Sequence, residues 1–138
     1  MDWKLEVVTV PVSDLDRARD FYSKRVGFKV DIDHEVSPDV RFLQLTPPGS
    51  GCSIHLAPGS GKLKPGSLEG LFLVVPDVKA AREELLNRGV DAGEIRVYDN
   101  GEYRPALEGE SLDLVGVVLF SDPDGNRWMV QQIPPRER

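Results

Sequence analysis

Few side chains in this sequence can exchange a proton or attack an electrophile near neutral pH: His34, His55 and Cys52. His55 lies in the strand-like run Ser53 to Ala57, where an imidazole suits a general acid or base, or a hydrogen-bond partner for a small ligand. It is the single catalytic candidate. His34 stands between Asp33 and Glu35 and reads as a solvated surface residue. Cys52 follows a glycine turn, and a nucleophile there needs an adjacent base. His55 is three residues further along one strand, an odd separation that points it to the opposite face, so Cys52 reads as a small structural residue. No paired carboxylate or serine identifies a mechanism. Asp122, Asp124 and Asn126 have the look of a calcium loop but lack its further ligands and terminal Glu. A tight turn, with Gly125 at positive φ and the Asx side chains bonding local backbone, explains them without an ion.

The elements that position these residues occur twice. Lys4 to Val12 is β-branched and partly alternating, as a strand should be. Ser13-Asp14 supplies a helix N-cap, and Leu15, Ala18, Phe21, Tyr22 and Val26 then recur at helical spacing until Gly27. Strands are expected over Phe28 to Glu35, Val40 to Thr46 and Cys52 to Ala57. From Gly70 the pattern restarts: a strand, Asp77 as cap, a helix with Val78, Ala81 and Leu85 inward, and a stop at Gly89. Strands near Glu94 to Tyr98, Leu114 to Phe120 and Arg127 to Gln132 follow. Aligning Asp14 with Asp77 also pairs Val12 with Val75, Ala18 with Ala81 and Arg19 with Arg82, so the chain reads as one duplicated unit. Module 1 covers about 4–57 and module 2 about 69–133. Between them Pro58 to Leu68 is rich in Gly, Pro, Ser and Lys and is expected to be a flexible connection. Asn100 to Asp113 is acidic and reads as a long irregular loop, either a lid or disordered. Tyr103 and Arg104 in it are placed to close over a ligand, while Glu102, Glu108 and Glu110 read as solvated.

Composition narrows the partners. The length suits one domain with one core, and a hydrophobic share of 40% with 29% charged residues is ordinary for a globular protein. No apolar run is long enough to span a bilayer, and the N-terminus lacks the basic start and apolar stretch of a signal peptide. A cytoplasmic protein without a membrane partner is expected. One cysteine excludes an internal disulfide and a cysteine-based zinc site within the chain. A net charge of −6 with no cluster of Lys and Arg argues against nucleic acid.

Two stretches carry a resemblance. Val10 to Phe28 (VPVSDLDRARDFYSKRVGF) and Ser121 to Trp128 (SDPDGNRW), with a second Asp-capped helix between them, resemble the vicinal oxygen chelate superfamily, also called the glyoxalase/bleomycin resistance/extradiol dioxygenase group. The resemblance covers nearly the whole chain. It implies an α+β fold in which two tandem βαβββ modules form a curled, cup-shaped mixed sheet with helices on the outer face, often completed by a homodimer. It also implies a divalent metal held by one residue from the first and fourth strand of each module, typically His and Glu. Those positions fall on Val7, His55, Gly70 and Met129. Only His55 is a competent ligand, because a thioether binds hard divalent ions poorly and such sites use three or more protein ligands. No metal and no cofactor are therefore expected.

If those four positions face the hollow, strand parity adds Thr9, Ser53, Phe72, Val74, Arg127 and Gln131, and sends Trp128 and Val130 beneath the helices. Such a largely apolar hollow suits a small hydrophobic or aromatic molecule, with Val7, Thr9, Ser53, His55, Phe72, Val74, Met129 and Gln131 as its contacts. A metal-free binding protein is the leading expectation. The alternative is a lyase, isomerase or dioxygenase-type enzyme that uses His55 as acid or base, with Gln131 polarising, or a weakly held divalent metal. A third reading has the cup filled by the protein's own side chains.

Overall fold

A computed structural model describes residues 1–59 and 63–135. The chain divides into two compact units, Met1–Leu68 with Asp122–Asn126, and Glu69–Ser121 with Arg127 onward. In the first unit β1 (Val7–Val12) is followed by α1 (Leu15–Asp20), a π-helical segment (Phe21–Val26), β2 (Lys29–Ser37), β3 (Val40–Thr46) and β4 (Ser53–Pro58). The second unit repeats the plan with β5 (Leu71–Val75), α2 (Val78–Asn87), β6 (Arg96–Asp99), β7 (Glu102–Pro105), β8 (Gly116–Ser121) and β9 (Arg127–Gln132). The expected α+β, two-module architecture is present, as two open mixed sheets ordered β1-β4-β3-β2 and β5-β9-β8-β6-β7. β1 pairs parallel with β4 and β5 with β9; the other pairings are antiparallel.

Both helices start where an Asp carboxylate satisfies an orphan N–H. Asp14 accepts from the Arg17 amide at 3.0 Å, and Asp77 accepts from the Ala80 amide at 3.1 Å. α1 is shorter than its apolar spacing predicts, because its second half widens to a π-helix. Gly27, at φ 96°, ends it with its N–H on the Tyr22 carbonyl. That widening leaves Phe21 and Tyr22 buried in edge-to-face contact at 5.2 Å, with Phe28 stacked on Tyr22.

In the first unit Val10, Val12, Leu43, Leu45, Ile54 and Leu56 turn one sheet face into the core with Ala18, Phe21 and Tyr22. In the second, Val118, Phe120, Trp128 and Val130 do the same with Val78 and Leu85, and Trp128 stacks on Phe120 at 5.9 Å. No described helix is long and apolar enough to cross a membrane.

Several expectations need correction, strand bounds among them: β2 is Lys29–Ser37, β6 Arg96–Asp99 and β8 Gly116–Ser121, against the expected Phe28 to Glu35, Glu94 to Tyr98 and Leu114 to Phe120. β1 begins at Val7 rather than Lys4, and β4 at Ser53 rather than Cys52, which lies just outside the strand. Of the stretch expected to be a flexible connection, residues 60–62 lie outside the described residues, while the remainder is tied down. Gly66 N–H donates to the Pro11 carbonyl at 3.3 Å and Leu68 N–H to the Asn126 side chain at 3.1 Å. Only the start of the stretch from Asn100 is regular: Glu102–Pro105 is the second strand of a β-hairpin, and residues 106–113 stay outside helix and strand. Asn100 and Gly101 sit at φ 53° and 88°, the left-handed pair that a two-residue turn needs, and join β6 to β7.

Arg104 does not close over a ligand. Its guanidinium donates to Asp99 at 2.9 Å and to both oxygens of Glu110 at 2.9 and 2.6 Å, and Glu110 also accepts the Leu107 amide. Glu110 is thus a tether rather than a merely solvated residue. Arg104 first, then the Leu107 N–H, holds the Glu110 carboxyl down at about 2. A depressed carboxyl keeps its contacts at every pH above the ordinary carboxyl range and loses them as pH falls through its folded value. An acid titration is expected to move the Leu107 amide resonance with a midpoint near 2; a midpoint in the ordinary range, about 4, would show the tether is not formed in solution.

Candidate functional site

Each sheet turns one face to its helix and leaves the other open. In the first unit the alternation is clearest on β3, where Leu43 and Leu45 are buried while Phe42, Gln44 and Thr46 face outward. Register then assembles a row across the open face: Thr9 on β1 stands beside His55 on β4, His55 opposite Gln44 on β3, and Gln44 opposite Ile32 on β2. Val7 stands beside Ser53 one step along the same strands, and Phe42 lies opposite His34. The His55 and Phe42 rings are 6.4 Å apart and tilted by 31°. Ile32, Phe42 and Val7 are 45, 51 and 41% exposed. An apolar surface this open on one sheet face is unusual unless something covers it.

Among the described residues, no hydrogen bond or ion pair engages the side chain of Thr9, Gln44 or His55. Ser53 differs: it is buried, and its hydroxyl is bonded to Thr46 at 2.6 Å. The open face therefore offers a hydroxyl, an imidazole and an amide within two strand spacings of one another, flanked by apolar side chains. Such a surface can orient a small molecule. It is poorly arranged for base catalysis, because no carboxylate or carbonyl fixes the His55 tautomer.

The open face of the second unit is apolar. Phe72 on β5, Met129 on β9 and Leu119 on β8 form one row, with Phe72 and Leu119 56 and 48% exposed. Tyr98 and Tyr103 stand opposite each other on β6 and β7 in edge-to-face contact at 5.3 Å, and the Tyr103 hydroxyl approaches the Met129 sulfur at 3.9 Å. Val74 is exposed beside Gln131. The Gln131 amide is already spent on the Leu114 carbonyl at 2.7 Å, and Arg127 pairs with Glu69 at 3.5 Å. A hollow of about 490 Å³ adjoins Leu119 and Arg127, with Asp91, Gly93 and Trp128 in its lining.

Of the residues expected to line the site, Val7, Thr9, Ser53 and His55 come together on the first sheet, and Phe72, Val74, Met129 and Gln131 on the second. Gln44, Phe42 and Ile32 were missed on the first, and Leu119 and Tyr98 on the second. The alternation Phe42-Leu43-Gln44-Leu45 could have found two of them. His34 is exposed as expected, yet on the same face as His55. In the turn after β8, protein donors occupy the carboxylates. Both Asp122 oxygens are filled, and Asp124 accepts from the Ser13 amide, the Ser13 hydroxyl and Arg17.

A model of the glyoxalase/bleomycin resistance protein/dioxygenase superfamily matches residues 4–130. The chain belongs to this superfamily. Among solved superfamily-like structures, TnmS3, an antibiotic binding protein from Streptomyces sp. CB03234, is 32% identical, with 96% of this chain and 97% of that chain covered and a TM-score of 0.75. A glyoxalase/bleomycin resistance protein from the same organism is 33% identical over 94% of this chain and 100% of that one, with a TM-score of 0.72. An uncharacterized Bacillus subtilis protein, YetH, is 24% identical over 94% of this chain and 98% of its own length.

The resemblance implies a divalent metal in enzymatic members, and three of the four positions it implies as ligands do not suit one. Val7 and Gly70 have no donor atom, Gly70 lies before β5 at φ 86° with open space where a side chain would stand, and Met129 offers a thioether. Among the described residues no group of three or more His, Cys, Asp or Glu is arranged to hold an ion.

Proposed function

We propose that this superfamily member binds a small hydrophobic or aromatic molecule without a metal, against the open face of the first sheet and centred on His55. The observation that carries the reading is the row Thr9–His55–Gln44: three polar side chains that make no hydrogen bond or ion pair among the described residues, on an exposed face walled by Val7, Phe42 and Ile32. Apolar walls supply affinity through buried area, and a few polar groups fix orientation. That TnmS3 is an antibiotic binding protein supports a binding role on this scaffold. The exposed apolar face of the second unit supports a homodimer, in which a second copy removes Phe72 and Leu119 from water. A single cysteine and an acidic surface agree with a cytoplasmic setting.

A fragment screen read by amide resonances tests the site. Aromatic fragments are expected to shift Thr9, Phe42, Gln44 and His55 together, and His55→Ala to weaken binding about tenfold, the equivalent of ~1.4 kcal/mol. Shifts confined to other surfaces would overturn the assignment. Native mass spectrometry of the same protein is expected to give a dimer without stoichiometric metal, and a retained ion at one per chain would sink the metal-free reading.

A further inference from the structure

β2 contains one residue more than its pairing with β3 uses. Val30 stands opposite Leu45 and Ile32 opposite Gln44, so Asp31 is the extra residue of a β-bulge. In unbroken register Asp31 would face Gln44, and Ile32 would face Leu43 on the buried side. The bulge instead puts both Asp31 and Ile32 on the open face, where the Asp31 carboxylate accepts the Thr46 hydroxyl. The neighbouring acid on β2 is treated differently. Asp33 faces the helix and is held by Arg41 at 2.8 Å and Arg19 at 3.1 Å. Asp31 has no ion pair among the described residues, and Lys29, in register with Thr46, makes none with it.

This arrangement fixes the direction of a hydrogen-bond chain. A carboxylate only accepts, and a hydroxyl has one proton. Thr46 gives its proton to Asp31, so in the 2.6 Å contact between Thr46 and Ser53 the proton must come from Ser53. Both hydroxyl protons are thereby spent inward. What this corner of the face presents outward is the second oxygen of the exposed Asp31, which can only accept.

We propose that Asp31 is the specificity-determining residue of the sheet face, selecting flat apolar ligands that carry an O–H or N–H donor over those that offer only acceptors. This rests on the reading of that face as the ligand site. The ligand class it names is phenols, anilines and amide-bearing aromatics.

The test compares naphthol with its methyl ether, which share the apolar body and differ in one donor, by titration against amide resonances of the full chain. The wild type is expected to bind naphthol about fivefold tighter, the worth of one net hydrogen bond. Asp31→Asn puts an amide N–H₂ in place of the carboxylate and lets the hydroxyl chain reverse, so the preference is expected to vanish or invert. Thr46→Val returns to the face the Asp31 oxygen that takes the Thr46 proton and is expected to keep or widen the preference, which tests the carboxylate even if the first variant folds poorly. Equal affinity of the two probes in the wild type, an undiminished preference in Asp31→Asn, or its loss in Thr46→Val would overturn the role of Asp31 and leave the site in place. If neither probe shifts this face, the site itself is wrong and Asp31 has no ligand to select.

Discussion

Replacing Asp122 by Ala is expected to lower the unfolding free energy by about 3–4 kcal/mol, more than any single change on the open faces, because it strips a buried charge from five donors at once. Asp122 Oδ1 accepts the amides of Asp124, Gly125 and Asn126 at 2.9–3.0 Å, and Oδ2 accepts the Tyr22 hydroxyl and the Asn126 amide at 2.7 Å. Both Tyr22 and Asn126 are fully buried, so water cannot replace the lost acceptor without repacking. Asn126 in turn donates to the Pro11 carbonyl at 2.8 Å, which extends the damage into β1. Asp122→Asn keeps the three backbone contacts but sets one amide N–H₂ against another, and should cost roughly half as much. Urea unfolding monitored by tryptophan fluorescence measures both. A loss under about 1 kcal/mol for Asp122→Ala, the size of an ordinary surface change, would mean the turn is not held as described.

The second large effect is expected at Gly66. Its φ is 81°, and a Cβ there would run into the backbone carbonyl of Asp124, which cannot swing aside as a side-chain tip can. Gly49 shares the same φ of 81° with nothing near the added carbon. Gly49→Ala should therefore cost only the left-handed backbone penalty, about 1 kcal/mol, while Gly66→Ala adds the displacement of residues 122–126 and should cost about 3 kcal/mol. The difference between the two, rather than either alone, reports the close approach. Equal losses would show that residues around Gly66 pack more loosely in solution.

Much of this was readable in the sequence, for reasons specific to each element. Asp14 and Asp77 announce their helices because a carboxylate at an N-cap has one job, and β3 and β9 match their expected bounds because their alternation is unbroken. The superfamily was legible because its two signatures are local. What escaped was non-local or misread. The π-helical widening after Asp20 has no breaker in the run to announce it. The bulge at Asp31 exists only relative to β3, so no reading of β2 by itself could place Ile32 outward. The Asn100–Gly101 hairpin is different: the turn dipeptide and a strand before it were in view, and the four residues of β7 were too short to stand out from their acidic surroundings. On the open face of the first sheet, the resemblance pointed to His55 and parity added Thr9. The alternation of β3 puts Phe42 and Gln44 on one face, but that this face adjoins His55 is a fact of topology.

The turn Asp122–Asn126 lies in sequence between two strands of the second unit, yet it belongs by its contacts to the first. The duplicated halves are therefore not interchangeable cassettes. A fragment ending near Leu68 would carry a tyrosine hydroxyl without its acceptor and a Pro11 carbonyl without its donor. A swap of second halves between relatives would have to bring these five residues with matching partners, or leave the first half without its lock.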